Sequence, residues 1–148
     1  MNKGLYILAI WLNRGKEISV GALGSAYFPP GLYVYIGSAQ KALQARIRRH
    51  LSPVSPVGAG GKKKRLFWHI DYLLEGAEVI GVRSLAGPKE DECRLSEKFS
   101  QSGGEVVMKG FGASDCSCLS HLYYFGAPVR ASRAAGKRKF KNILDNCA

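Results

Sequence analysis

Apolar residues fall in short blocks along the first forty positions of the chain, and these blocks predict β-strands. Residues 4–12 are almost continuously apolar, which is typical of a central strand that is buried on both faces. A turn at residues 13–16 precedes residues 17–24, which we expect to be the return strand of a hairpin. After the Pro-Gly breaker at residues 28–31, residues 32–37 form the third predicted strand.

Three helices are predicted in the middle of the chain. Ser38 can cap the first, which covers residues 40–51. The second covers residues 66–78 and closes at Gly76. The third covers residues 87–104, and the acids in its first turn complement the helix dipole.

The remaining segments complete an α+β pattern, with a small, mostly antiparallel sheet flanked by helices. They are a long basic loop at residues 52–65, a strand at residues 79–85, and short strands at residues 105–112 and 120–126. A length of 148 residues suits one domain, which we place at residues 1–129. The basic tail, residues 130–148, is either a helix that folds on a partner or a disordered segment.

The charge of the chain points to a polyanionic partner. Lys and Arg number 22 against 11 acids, which gives a net charge of +11. The charge is not on an obvious amphipathic anchor and no apolar run reaches the roughly 18 residues of a membrane span, so we expect nucleic acid rather than a membrane as the partner. The plainer alternative is a basic surface without a specific partner, and the pattern does not indicate an oligomeric state.

The N-terminal segment and the cysteines indicate a cytoplasmic protein. The first 17 residues contain a short apolar stretch but no small-residue cleavage site after it, so we expect no signal peptide. In a reducing compartment, the four cysteines are expected to be thiols or metal ligands.

Residues 31–50 place a strand, a Gly-Ser turn and a basic helix in succession. Strand alternation directs Tyr33 and Tyr35 to one face of the sheet. On the helix, Arg46 and His50 are four residues apart and share a face, while Gly37 allows a close approach to the strand end. Spacing alone favours the plainer interpretation, an aromatic strand followed by a solvated helix.

The same residues resemble the GIY-YIG nuclease superfamily. The tripeptide "GLY" at residues 4–6 and "YIG" at residues 35–37 are followed by "SA" and by Arg-x-x-x-His on a helix. Later blocks, "WHIDYLL", an acid-Cys helix and "GFGASDCSCLSHLYYF", resemble an uncharacterised small single-domain branch of that superfamily.

The resemblance implies a metal-dependent endonuclease that hydrolyses DNA phosphodiester bonds. It implies that a motif tyrosine, Tyr6 or Tyr35, activates or positions the attacking water, and that Arg46 binds the scissile phosphate. Since a tyrosine with a pKa near 10 is a poor base at neutral pH, we expect Arg46 or the metal to lower that pKa. His50 is either a second phosphate donor or a proton relay. Tyr33 is expected to pack in the core.

The resemblance also implies a glutamate on a later helix that holds one divalent cation, Mg²⁺ or Mn²⁺. Glu92 falls at i, i+3, i+7 with Leu95 and Phe99, so its carboxylate is on an apolar face and requires a partner. Glu90 and Asp91 are expected to be solvated. One carboxylate with bound water suits Mg²⁺.

Two features depart from the superfamily pattern. An extra strand separates Tyr6 from Tyr35, so the expected fold is GIY-YIG-like with an extra N-terminal strand. Either that strand is inserted at the sheet edge, or the motif strands are not neighbours. A late asparagine is also absent from its expected region, where the chain has Ser114 and Asp115, and the asparagines of the tail are Asn142 and Asn146.

Histidine and cysteine residues suggest a weaker metal hypothesis. Cys93, Cys116, Cys118 and His121 could hold tetrahedral zinc, but Cys-x-Cys is not the common spacing, and the cysteines could be core thiols. His69 is interpreted as structural, with Asp71 in the same segment as the partner of a basic residue.

The remaining basic residues are candidate contacts to the DNA backbone, which give affinity without sequence choice. They are Arg48, Arg49, Lys62, Lys63, Lys64 and Arg65, with Lys137, Arg138, Lys139 and Lys141 in the tail. Two other functions stay open. One is a non-catalytic nucleic-acid-binding module on the same scaffold, and the other is a zinc-stabilised interaction protein.

Overall fold

The structure is a computed structural model that describes residues 3–39, 41–52, 69–112, 120–127 and 132–147. Its strands are β1 (Gly4–Leu12), β2 (Lys16–Ser19), β3 (Ser25–Phe28), β4 (Gly31–Ala39), β5 (Glu78–Leu85) and β6 (Leu122–Tyr124). Its helices are α1 (Leu43–Leu51), α2 (His69–Leu74), α3 (Asp91–Gln101) and α4 (Arg133–Cys147), with a 3₁₀ turn at Gly21–Leu23. The predicted α+β class is confirmed.

Strand β1 is the centre of a four-stranded antiparallel sheet with the order β5-β1-β4-β6. All nine of its residues are buried, as its continuous apolar run predicted. It pairs with β4 along its whole length, in a register that sets Tyr6 opposite Gly37. The two strands that carry the motif tripeptides are therefore direct neighbours.

The segment between the motif strands forms its own two-stranded sheet, in which β2 pairs with β3. The prediction that residues 17–24 return along β1 is wrong, because β4 and β5 already occupy both edges of that strand. The insertion is thus neither at the edge of the main sheet nor between the motif strands. Its apolar side, with Ile18, Val20 and Phe28, is buried against the main core.

Side chains alternate between two faces of the main sheet, each covered by two helices. The front face packs against α1 and α2, and its strand residues are Tyr6, Leu8, Ile10, Tyr33 and Tyr35. The back face packs against α3 and α4, and its strand residues are Ile7, Ala9, Trp11, Leu32, Val34 and Ile36. The predicted alternation of tyrosine and aliphatic residues along β4 is confirmed.

Helix α4 lies in the basic tail, for which the sequence predicts either a helix or a disordered segment. Its apolar side, with Phe140, Ile143 and Leu144, is buried in the back-face core. The described part of the basic tail therefore packs on the sheet of its own chain. None of the described helices combines the length and apolar character that crossing a bilayer requires.

Some predicted boundaries differ from the structure. Ser38 does not cap a helix, because it is still in β4, and α1 begins after Ala42, which has a left-handed backbone (φ 52°) and makes no side-chain cap. Residues 105–112 were predicted to be a strand, but only Glu105 forms a β-bridge there, with Tyr124. Helix α2 begins at His69, next to residues outside the described ranges.

Candidate active site

The ring of Tyr6 lies across Gly37, its partner on the neighbouring strand. A Cβ atom at Gly37 would overlap the Cζ atom and the hydroxyl oxygen of Tyr6. We expected the space above Gly37 to admit a substrate or a helix, but the tyrosine occupies it. The glycine of one motif tripeptide therefore makes room for the tyrosine of the other.

Helix α1 brings a histidine to this tyrosine. Leu43, Ile47 and His50 fall at i, i+4 and i+7 and are all buried, so the helix docks on the front face with the imidazole inward. The hydroxyl oxygen of Tyr6 lies 2.8 Å from Nε2 of His50, in a hydrogen bond. The ring of Tyr35 completes the cluster, with its centroid 6.4 Å from that of Tyr6 and 6.2 Å from that of His50.

Burial controls the protonation of both motif tyrosines. Loss of hydration raises the pKa of Tyr6 well above its ordinary value, while the nearby Arg46 guanidinium lowers it and the Glu92 carboxylate raises it further. Burial likewise raises the pKa of the Tyr35 phenol. Arg46 acts in the predicted direction, but the prediction of a lowered pKa is wrong, because desolvation outweighs the cation. Both phenols are protonated at neutral pH.

Arg46 is a half-buried residue of α1, and its guanidinium lies beside the end of β4. Its Nη1 donates to the backbone carbonyl of Ser38 across 2.6 Å. This contact holds the guanidinium beside the strand end that carries the second motif tripeptide. The positive charge of Arg46 influences the pKa of both Tyr6 and Tyr35, which places it in the same cluster.

Glu92 points inward from α3, as its periodicity predicted, and only 8% of its surface is exposed. Its Oε1 lies 2.7 Å from Nδ1 of His121, and the Ser38 hydroxyl donates to its Oε2 across 2.5 Å. Its two acidic neighbours differ, since Glu90 is exposed and Asp91 is half-buried, with an ion pair to Arg94 at 3.7 Å. Glu92 is thus buried, whereas its two acidic neighbours are at least partly exposed.

Sequence reasoning did not find the role of Ser38 or the contact of His121 with Glu92. Ser38 links two candidate groups, because its carbonyl accepts from Arg46 and its hydroxyl donates to Glu92. The available signal was its alternation with Val34 and Ile36, which directs a hydroxyl to a buried face and so requires a partner.

The two arginines that follow on α1 have different surroundings. Arg48 is exposed. Arg49 lies against α2 instead, where its Nη1 binds both oxygens of Asp71 at 3.0 and 3.1 Å. Asp71 is completely buried and the Arg49 side chain is only 27% exposed, so this pair joins α1 to α2. Asp71 is thus the partner of a basic residue, as predicted.

His69 makes a structural contact. Its Nδ1 accepts a hydrogen bond from the backbone N–H of Gly112 across 2.8 Å. Burial lowers the pKa of His69 and favours the neutral imidazole that such an acceptor needs. Gly112 has a left-handed backbone (φ 70°) and lies against the ring of Tyr35. This contact therefore holds the segment that covers the second motif tyrosine.

The cysteines differ from expectation where they can be described. Cys93 forms a disulfide, so the prediction of a thiol or a metal ligand is wrong for this residue. The other three cysteines, which include the candidate ligands Cys116 and Cys118, lie outside the described side chains. Among the described residues, no group of three His, Cys, Asp or Glu side chains could hold a metal ion.

Several other predicted residues are remote from the site or lie outside the described part of the chain. Asn142 and Asn146 are exposed on α4, which packs on the back face. Ser114 and Asp115, together with the loop residues Lys62, Lys63, Lys64 and Arg65, belong to segments that the structure does not describe.

The donor set fits a hydrated divalent cation. Glu92 is one buried carboxylate, and each of its oxygens has a second lone-pair position besides the one used by Ser38 or His121. Mg²⁺ commonly binds through one or two carboxylates, keeps several waters and takes further oxygens from substrate phosphates. The site therefore suits Mg²⁺ or Mn²⁺ better than an ion that needs a full protein cage.

Comparison with known proteins gives one match. A family model described as a domain of unknown function, DUF123, matches residues 5–143. No curated protein and no solved structure matches the chain.

Proposed function

The chain belongs to the DUF123 family, and we propose that it is a metal-dependent endonuclease that hydrolyses DNA phosphodiester bonds. One observation carries the proposal: the buried hydrogen bond between Tyr6 and His50, in a cluster that also contains a cation, Arg46, and an inward carboxylate, Glu92. These are the residues of the GIY-YIG resemblance, and they are drawn from three separate elements. The net charge of +11 supports a polyanionic substrate.

Arg46 holds the scissile phosphate in this proposal. Its planar guanidinium can form two parallel hydrogen bonds to phosphoryl oxygens, which the ammonium group of lysine cannot reproduce. The Ser38 carbonyl fixes one edge of the group before the substrate arrives. A preorganised cation stabilises the charge that develops on the phosphoryl oxygens as the water attacks.

Tyr6 passes a proton rather than acting as a phenolate. Because burial keeps the phenol protonated, Tyr6 accepts a proton from the attacking water only as it gives its own proton to Nε2 of His50. Imidazole is an ordinary base at neutral pH, so the pair performs what neither side chain can do alone. This proton path favours Tyr6 over Tyr35, whose ring instead lines the cluster.

Glu92 is the residue that would hold Mg²⁺ or Mn²⁺. When bound, such an ion supplies charge neutralisation at the phosphoryl and leaving oxygens. The contacts from Ser38 and His121 keep the carboxylate at the strand end, where its charge influences both Tyr6 and Tyr35. Glu92 therefore faces the same cluster as the tyrosines.

DNA-backbone contacts come from more than one surface. Lys41 and Arg48 are exposed beside the site, at the two ends of α1. Lys137, Arg138 and Lys141 are exposed on α4, on the opposite side of the sheet. Such contacts give affinity that falls steeply with salt. The disulfide of Cys93 counts against the reducing cytoplasm expected from the sequence.

The test is incubation of the full chain with branched, nicked and duplex DNA, with Mg²⁺, with Mn²⁺ and with EDTA. We expect strand cleavage that requires the cation and that Glu92→Ala abolishes. Glu97→Ala is the matched control, since Glu97 is an exposed acid on the same helix and should leave cleavage unchanged. If no DNA is cut with either cation, the nuclease proposal fails. Cleavage that survives Glu92→Ala removes the metal assignment.

A non-catalytic nucleic-acid-binding module is the second candidate. It is favoured by two observations: both motif phenols are protonated, and both oxygens of Glu92 already have protein partners. Salt-dependent binding of DNA or RNA without cleavage would support it. Binding of RNA in preference to DNA would change the proposed substrate.

A further inference from the structure

Glu92 is held by two side chains that come from opposite ends of the chain. His121 lies just before β6 and binds Oε1, while Ser38 lies at the end of β4 and binds Oε2. Only 1% of His121 is exposed, so its imidazole is shielded from water where it contacts the carboxylate. With a hydrogen bond on one oxygen and a close imidazole contact on the other, rotation of the carboxylate is restricted.

Docking of α3 does not require this charged contact. One turn further along the helix, the hydroxyl of Ser96 donates to the Ser120 carbonyl across 2.8 Å and lies 2.6 Å from the hydroxyl of Tyr123. Ser96 is also fully buried, and it joins the helix to the same segment with neutral groups. Burial of a carboxylate costs far more than burial of a hydroxyl, so a purely structural contact would not need Glu92.

We infer that His121 and Ser38 are positioning residues that aim Glu92 at a divalent cation. Carboxylates that bind metals are themselves oriented by hydrogen-bond donors, and loss of such a donor typically weakens metal affinity or activity about 10- to 100-fold. The inference rests on the proposed function, since it assigns the cation to Glu92. It gives His121 a role through the close contact of its Nδ1 with Oε1 of Glu92, in place of the zinc-ligand role that the sequence suggested.

The test measures Mn²⁺ binding to the full chain without DNA, by electron paramagnetic resonance of the free ion. His121→Ala removes the imidazole that contacts Oε1, and we expect the Kd for Mn²⁺ to rise about 10- to 100-fold. In His121→Asn a polar amide stands near the position of Nδ1 and keeps the contact with Oε1, so this variant should stay within a few-fold of the wild type. Ser96→Ala, with an equally buried side chain on the same helix, should not change the Kd.

Ser38→Ala provides an independent variant in case the loss of His121 impairs folding. It removes the hydroxyl on Oε2 but keeps the backbone carbonyl that Arg46 binds. We expect it to weaken Mn²⁺ binding in the same direction as His121→Ala. Circular dichroism and thermal unfolding of each variant establish that the measured chain is folded.

The outcomes separate this inference from the proposed function. If Glu92→Gln abolishes Mn²⁺ binding but His121→Ala and Ser38→Ala leave it unchanged, the positioning role is wrong and the nuclease proposal stands. If His121→Asn weakens binding as much as His121→Ala, the polar contact at Oε1 is not the cause and the inference is overturned. If the wild-type chain cuts DNA with a cation but Glu92→Gln still binds Mn²⁺ normally, Glu92 is not the ligand.

Discussion

The front and back faces of the main sheet are built from the same four strands but from different kinds of side chain. The front face contains Tyr6 and Tyr35 and receives His50 from α1 and the buried Asp71 from α2. In the back-face core, aliphatic and aromatic side chains of the strands meet the apolar sides of α3 and α4. Buried polar groups are costly in a core, and both sides of the sheet contain them, since Glu92 and Ser96 are buried on α3. What distinguishes the front face is that His50 packs against both motif tyrosines there, which indicates that this face carries chemistry.

The two faces meet at the end of β4. Glu92 approaches from the back-face helix α3, while Arg46 approaches from the front-face helix α1, and both bind Ser38. A sheet separates its two sides along its length but not beyond the ends of its strands. The candidate site therefore lies at the strand end, where residues from both sides of the sheet can meet. The apolar core of the back face stabilises the fold.

The largest expected effect comes from removing one hydroxyl on the front face. Tyr6→Phe breaks the proton path to His50, so we expect the cleavage rate to fall by about 10²- to 10⁴-fold. Tyr33→Phe is the matched control, because Tyr33 is buried on the same face but its hydroxyl donates to the Pro29 carbonyl. Measured rates with saturating Mg²⁺ and DNA test the prediction. Equal rates for the two variants would show that the front-face tyrosines share a packing role.

The back face should respond in stability rather than in activity. Phe140→Ala empties part of the back-face core and should lower the free energy of unfolding by about 3–5 kcal/mol. Leu51→Ala is the control, because that side chain is 51% exposed and its loss should change stability by no more than about 0.5 kcal/mol. Denaturant unfolding measures both. If folded Phe140→Ala also loses cleavage, the two faces are not functionally distinct.

Gly37→Ala tests the close contact between the motif strands. The added methyl group overlaps Tyr6, so we expect a loss of about 1–3 kcal/mol in stability together with slower cleavage. A double-mutant cycle with Tyr6→Ala identifies the cause, because the methyl group should cost less once the ring is gone. Additive stability losses would mean that the glycine is required for another reason.

The smallest expected effect is a dependence on alkaline pH. Burial raises the pKa of Tyr6 and Tyr35 above that of the unfolded chain, so their contribution to stability is complete below about pH 10 and is lost as the pH rises further. Denaturant unfolding between about pH 8 and 11 should show a decline that Tyr6→Phe makes shallower. The phenolate absorbance of the folded protein should be the same with and without Tyr6 over this range. Loss of absorbance in Tyr6→Phe would show that Tyr6 ionises in the native state.

The sequence predicted those parts of the fold that follow from local periodicity. The apolar run of β1, the alternation along β4 and the inward direction of Glu92 were all read from spacing and agree with the structure. The pairing of β2 with β3 was missed, because turn residues mark a reversal of the chain but do not determine which strand lies alongside.

The partners of the site residues depended on contacts between distant segments. Ser38 and Glu92 are 54 positions apart, and nothing in the local pattern joins them. The pKa of Tyr6 was also misjudged, since the sequence shows the nearby cation but not the depth of burial that outweighs it. The disulfide of Cys93 likewise depends on a partner that spacing did not identify.

Ser38 connects the candidate phosphate-binding residue, Arg46, to the candidate metal-binding residue, Glu92. Its backbone carbonyl accepts a hydrogen bond from Arg46 and its hydroxyl donates one to Glu92. Movement of either side chain therefore strains a hydrogen bond to the same residue. A ligand that tightens one of these contacts is expected to change the affinity at the other, and such linkage is reciprocal. DNA should then strengthen cation binding by the same factor by which the cation strengthens DNA binding.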